Sequence, residues 1–206
     1  MSLDFVYLAS GSPRRRELLQ QIGVPFRLVA ATVDETARPA EAAPAYVLRL
    51  AAAKADAGWH ADGAGRDAPV LAADTAVVVD GTILGKPADR QDAEAMLRQL
   101  SGRTHEVLTA VALRTGAGVQ SRISRSEVTF RAIGIPEARA YWETGEPRDK
   151  AGGYAIQGRA AVFVVDLRGS FSGVVGLPLF ETAQLLGEAG FSHWRSPARH
   201  DPAPAP

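Results

Sequence analysis

The stretch Leu8-Ala9-Ser10-Gly11-Ser12-Pro13-Arg14-Arg15-Arg16 decides how this chain is read. An apolar run, Phe5 to Ala9, leads into it, and Glu17-Leu18-Leu19-Gln20-Gln21-Ile22-Gly23 follows. The pattern predicts a strand, a tight Ser-Gly-Ser turn and a helix that starts at Pro13. Proline suits the first helical turn, where its missing N–H would have no partner. Ser12 suits the N-cap, and Gly23 followed by Pro25 suits a stop. The unpaired N–H groups of a helix start attract anions. Arginines in that turn oppose the helix dipole, at roughly a few tenths of a kcal/mol, unless an anion joins them. A phosphate-bearing ligand accounts for them; the alternative is a solvated basic face.

Working outward, Leu28 to Ala31 reads as a short second strand before a polar turn with Asp34 and Glu35. Pro44 opens a predicted helix, Ala45 to Ala57, and Trp59 to Pro69 reads as a surface loop. Val70 to Val79 is an apolar run that predicts a buried strand. Asp80-Gly81 signals a type I′ hairpin, with Thr82-Ile83-Leu84 pairing back. Asp89 caps a helix through Leu100, with Ala93, Met96, Leu97 and Leu100 at helical spacing. Val107 to Arg114 and Val119 to Phe130 read as long strands. A helix from Pro136 to Thr144, a glycine-rich loop from Ala151 to Gly158 and a strand from Ala160 to Leu167 follow. Leu177-Pro178 starts the last helix. Residues 192–206, closing with Pro-Ala-Pro-Ala-Pro, read as a disordered Pro-rich tail, which leaves 1–191 as the domain. Helical crossovers mixed with hairpins predict an α/β fold, a mixed sheet with helices on its flanks.

A length of 206 residues suits one large domain or two closely joined lobes. The absence of cysteine excludes disulfides and thiolate metal sites. Lys+Arg and Asp+Glu both total 23, so no overall field draws the chain to nucleic acid or to an anionic membrane. No apolar stretch approaches the ~20 residues of a membrane span. The expectation is a soluble, cytoplasmic protein.

Asp74 is the sharpest candidate for chemistry. It interrupts Val70-Leu71-Ala72-Ala73-Asp74-Thr75-Ala76-Val77-Val78-Val79, and a carboxylate in a buried strand is costly unless it is paired, metal-bound or hydrogen-bonded. As a base it would deprotonate a water, with a metal lowering that water's pKa. Lys54 falls on the apolar stripe of its helix with Val47 and Leu50, so it either snorkels or reaches into a cleft. Lys86, in Leu84-Gly85-Lys86-Pro87, is a lysine held by Gly and Pro that can contact a phosphate. Gly81 to Lys86 is one residue short of a P-loop, and Pro87 stands where Ser or Thr is required. Asp34-Glu35 with Asp74 could hold Mg²⁺ or Mn²⁺ through oxygen. The histidines, at 60, 105, 194 and 200, form no zinc cluster, and Ser10 and Ser12 have no evident His partner for a hydrolase triad. In Asp149-Lys150-Ala151-Gly152-Gly153-Tyr154-Ala155-Ile156-Gln157-Gly158, Gln157 offers the donor and acceptor that suit a pyrimidine edge.

These pieces together resemble the Maf-type nucleoside triphosphate pyrophosphatases, over residues 5 to 191. The resemblance is carried by Leu8 to Arg15, Val33-Asp34-Glu35, Arg49 to Lys54, Ala73-Asp74-Thr75, Gly85-Lys86-Pro87, Leu100-Ser101-Gly102, Asp149 to Gly158 and Val175-Gly176-Leu177-Pro178. It implies a mixed twisted sheet in two lobes with a central cleft, similar to the inosine-triphosphate pyrophosphatases. It also implies hydrolysis of a nucleoside triphosphate to monophosphate and pyrophosphate with Mg²⁺ or Mn²⁺. By position, Asp74 looks like the general base and Ser10, Arg14, Arg15, Lys54 and Lys86 like phosphate contacts. Glu35 and Asp74 look like the metal-side carboxylates, and the resemblance implies a homodimer. Arg14, Thr75 and Gln157 match the branch that clears dTTP, UTP and modified pyrimidines, rather than the branch that prefers 7-methyl-GTP. The competing expectations are 7-methyl-GTP as substrate, or a nucleotide-binding regulator of cell division with little catalysis.

Overall fold

The computed structural model describes residues 3–61 and 67–192. Buried Val6, Tyr7 and Leu8 form β1 (Val6–Leu8), and Pro13 opens α1 (Pro13–Gln21) as predicted. Ser12 stands at the N-cap, but its side chain makes no capping bond; its own N–H donates to Ser10 Oγ at 3.2 Å. The second strand, β2 (Phe26–Leu28), comes two residues earlier than the sequence predicts. The short connection through Gly23 puts Pro25 beside Val6, whose N–H donates to the Pro25 carbonyl at 3.0 Å, and sets Phe26 against Val6 in a parallel pair.

Helix α2 (Ala43–His60) runs past its predicted end at Ala57. Gly58 is the reason: a Cβ there would fall 2.9 Å from both Ala9 and Val70, so the helix closes onto the sheet and carries Trp59 into the core. The predicted loop therefore begins only after His60, and residues 62–66 lie outside the described residues. β3 (Val70–Val79) matches its prediction and ends in Asp80-Gly81, at φ 50° and 75°, as a type I′ turn needs. β4 (Thr82–Leu84) pairs back on it, and Asp89 caps α3 (Arg90–Leu100) by accepting from Asp92 N at 2.9 Å. β5 (Thr104–Thr115) and β6 (Gly118–Phe130) form the long hairpin, followed by α4 (Ile135–Glu143).

The expected strand Ala160–Leu167 is only half a strand. Residues Arg159–Phe163 form a 3-10 turn, and β7 spans Val164–Arg168. Glu146 curls the chain there, because its carboxylate accepts the N–H groups of Arg159 at 3.0 Å and Ala160 at 3.3 Å. A short helix, α5 (Phe171–Val175), was not predicted, and α6 (Leu179–Glu188) starts just after Pro178. Most of the expected tail, from residue 193, lies outside the described residues.

The sheet runs β2-β1-β3-β5-β6-β7, with β4 on β3. Even-numbered residues of β3 face α2, and odd-numbered ones except Thr75 join the core of α1, α3, α4 and α6. One edge of β3 pairs with β5 from Val70 to Val78. The other edge is broken: β1 covers only Val70 and Leu71, and β4 only Val77 to Val79. Both short strands point their C-terminal ends into this break. The lobe of β2, β1 and α1 therefore parts there from the lobe of β4 and α3, which opens the central cleft. Ligands bind at such points, where chains leave a sheet in opposite directions.

Candidate active site

The cleft encloses about 550 Å³ and is lined by Ser10, Arg14, Arg15, Glu35, Lys54, Asp74, Thr75, Lys86 and Gln157 among others. All but two of the residues singled out in the sequence as site candidates reach one cavity. Arg16 does not, and neither does Asp34, whose carboxylate turns back to accept Thr36 N at 2.9 Å.

Asp74 sits at the broken edge of β3, only 7% exposed, on the face toward α2. Lys54 comes from α2 and does not snorkel. Its Nζ lies 2.7 Å from Asp74 Oδ1 and 2.6 Å from Glu35 Oε1. Burial raises the Asp74 pKa above the ordinary carboxylate value, against the pull of Lys54 and Arg15. Glu35 shifts the other way, held low chiefly by its hydrogen bond from Lys54. The same ammonium serves both, and exposure separates them: the Glu35 side chain is 48% exposed and that of Asp74 10%. The loop carrying Glu35 is braced on α2. Tyr46 donates its hydroxyl to the Glu35 carbonyl at 3.0 Å, and Arg49 grips Glu41 with two bonds of 2.6 Å.

The two arginines at the start of α1 differ. Arg15 donates Nε to the Gly176 carbonyl at 2.7 Å, Nη1 to Ser10 Oγ at 3.2 Å and Nη2 to Thr75 Oγ1 at 3.4 Å. Arg14 makes no hydrogen bond among the described residues; burial lowers its pKa, opposed first by Asp149 and then by Glu17. Across the cleft, the Gly85 carbonyl accepts Gly152 N at 2.9 Å, which ties the Lys86 loop to the 150–158 segment. Gly152 has φ +67°, and a Cβ there would fall 2.9 Å from Val77, so the segment can close on β3 only with glycine. Gln157 projects from the far end of that segment, which Tyr154 anchors at His105 Nε2 (2.8 Å) and Glu146 anchors through Tyr141.

Sequence reading missed Tyr46, Lys150, Thr109 and the Gly176 carbonyl. Thr109 carried a signal: it is the one polar residue in the run Val107 to Leu113. Among the described residues no group of three or more His, Cys, Asp or Glu could hold a metal ion. Two of the three carboxylates that line the cleft, Asp74 and Glu35, converge on a single cation position, where Lys54 Nζ lies. No helix among the described residues is long and apolar enough to cross a membrane.

Chemically, the cleft pairs one buried carboxylate with a rim of cations and a helix start, a geometry suited to proton abstraction beside a polyanion. Residues 5–189 match the family described as Maf-like protein. The dTTP/UTP pyrophosphatase of Aromatoleum aromaticum is 55% identical over 203 residues, which cover 90% of this chain and 96% of the relative. That of Methylococcus capsulatus is 56% identical over 183 residues, 89% of this chain and 90% of the relative. Among solved structures, the Staphylococcus aureus Ham1 protein overlaps 63% of this chain and 72% of its own, at a TM-score of 0.42 and 14% identity.

Proposed function

The chain belongs to the Maf-like protein family, and from that membership we propose that it hydrolyses dTTP and UTP to the monophosphate and pyrophosphate. The observation that carries the reading is the buried Asp74 carboxylate at the broken edge of β3, facing a cleft rimmed by Arg14, Arg15, Lys54 and Lys86. The names of relatives more than half identical over most of the chain support the substrate pair.

In this reading Asp74 accepts a proton from the attacking water. The water oxygen bonds to the α-phosphorus, the bond from that phosphorus to the bridging oxygen breaks, and pyrophosphate leaves with the electron pair. A base works best with a pKa nearer the operating pH, which burial supplies at Asp74 while Lys54 keeps it ionised. Arg14, Arg15, Lys86, Ser10 and the start of α1 take the charge that grows on the leaving phosphates. Asp74 and Glu35 are hard oxygen donors that meet at one cation position, so they fit Mg²⁺ or Mn²⁺ bound together with substrate phosphates. Such an ion supplies charge neutralisation at the phosphates. Gln157 reads the pyrimidine edge with its amide. Residues 1–191 make the catalytic domain, working as a homodimer in the cytoplasm, where its nucleotide substrates are.

The test is a panel of dTTP, UTP and 7-methyl-GTP, assayed for pyrophosphate release with Mg²⁺ or Mn²⁺. The two pyrimidine substrates should turn over at least about tenfold faster than 7-methyl-GTP, on the scale that one lost polar contact sets, and chelator should stop the reaction. A preference for 7-methyl-GTP would overturn the substrate assignment. Saturable binding with no pyrophosphate released under any metal would overturn the enzyme in favour of a binding protein.

A further inference from the structure

We infer that Thr109 is a positioning residue, acting through Thr75 on the Arg15 guanidinium; the inference rests on reading Arg15 as a phosphate contact. Thr109 lies on β5, 1% exposed, in an otherwise apolar run. A valine would fill the same space with no hydroxyl to satisfy, so the hydroxyl needs a reason. The bonding supplies one. Thr109 Oγ1 has a single hydrogen, and the Gly173 carbonyl takes it at 2.7 Å. Thr75 Oγ1, 3.0 Å away, must then donate its own hydrogen to Thr109 Oγ1. That turns the lone pairs of Thr75 toward Arg15 Nη2. The chain has one direction: Arg15 to Thr75 to Thr109 to Gly173.

The chain also closes on itself. Gly173 lies in α5, and Gly176, just beyond it, accepts Arg15 Nε at 2.7 Å. Thr109 therefore grips the middle of α5 and Arg15 the residue just past its C-terminal end. Gly176 holds φ +126°, which side-chain-bearing residues rarely adopt, so its carbonyl is aimed by a backbone that only glycine takes easily. Of the five N–H groups of a guanidinium, three are spent on Gly176, Ser10 and Thr75. One remains on each terminal nitrogen, the pair that a phosphate takes in a two-pronged contact. Loss of the Thr109 hydroxyl would free the Thr75 rotor and release α5 together, and both steady that fork. Thr75 and Thr109 are direct cross-strand partners on the face of β3 opposite Asp74. A change at Thr109 therefore reaches Arg15 without touching Lys54 or Glu35.

The experiment compares Thr109→Val with Thr109→Ser in the whole chain, reading dTTP turnover, affinity for inorganic pyrophosphate by calorimetry, and thermal midpoint. Thr109→Val should lower kcat about tenfold with KM changed less than about threefold, because the lost alignment matters most where charge develops. Pyrophosphate affinity should fall about threefold, and Thr109→Ser, which keeps the hydroxyl, should stay within about twofold of wild type on both readouts. A Thr109→Val protein within twofold of wild type on both, or a Thr109→Ser protein as impaired as Thr109→Val, would overturn the inference. If Thr109→Val does not fold, Thr75→Val against Thr75→Ser asks the same question from the other end of the bond, and equal defects would overturn it. A wild-type protein that releases no pyrophosphate would sink the enzyme reading, yet the pyrophosphate affinities would still decide the role of Thr109.

Discussion

Asp74 carries two predictions that separate its chemistry from its cost. Asp74→Asn keeps the shape and removes the base, so dTTP turnover should fall by about 10²–10⁴ with nucleotide affinity largely kept; near-wild-type turnover would reassign the base. The second prediction follows from the raised pKa of the folded carboxyl. Below the unfolded value of 3.8 both states hold the proton and the group contributes fully. As pH rises through the folded value, the native state must ionise a buried group and that stability is lost. Asp74→Asn should therefore melt above wild type at pH 7, with the gap closing toward pH 4; a gap independent of pH would contradict the burial argument. Asp74 and Lys54 were legible in the sequence because a charge inside an apolar pattern is conspicuous without any partner in view. Thr109 and the Gly176 carbonyl were not, since their meaning lies in Arg15, far away in the chain.

At the scale of elements, the start of α1 and the β3–β4 hairpin were legible because Pro13 and Asp80-Gly81 act locally. The strand expected over Ala160–Leu167 failed where a distant carboxylate, Glu146, took its N–H groups. α5 was missed because Phe171-Ser172-Gly173-Val174-Val175 is barely one turn, with no strong helix former and no room for a period. The 150–158 segment shows how an element fixes the cleft from outside it. Gly152 is held at φ +67° against Val77, while its N–H holds the loop of Lys86. Gly152→Ala should cost about 2–4 kcal/mol, combining a positive-φ penalty with overpacking, and should raise the KM for dTTP. Adding Val77→Ala should recover the overpacking part in chemical denaturation and leave the φ penalty. No recovery at all would mean that the contact with Val77 is not what demands glycine.

The molecule as a whole should answer acid through a group remote from the chemistry. His105 is buried against Phe130 and Tyr154, with Nδ1 lacking any partner among the described residues. Burial lowers its pKa from 6.5 to about 4. Above pH 6.5 both folded and unfolded chains carry it neutral, and its stability contribution is complete. As pH falls below 6.5 the unfolded chain binds a proton that the native fold refuses, so stability drains until the pH reaches about 4. Between pH 7 and 4.5 the loss from this one site should be roughly 2–3 kcal/mol. Asp74 has the opposite slope, so the wild-type curve alone would understate the histidine. His105→Gln removes the titration, whatever it does to stability at pH 7. Urea midpoints of the two proteins at pH 7 and 4.5 should differ in their pH dependence by that amount; parallel curves would mean that His105 is not held neutral. Because Tyr154 bonds this imidazole and stands in the segment that presents Gln157, acid should loosen that wall of the cleft before the sheet gives way. Discrimination between dTTP and 7-methyl-GTP should then decline in wild type as the pH approaches about 4, while His105→Gln holds its own ratio constant.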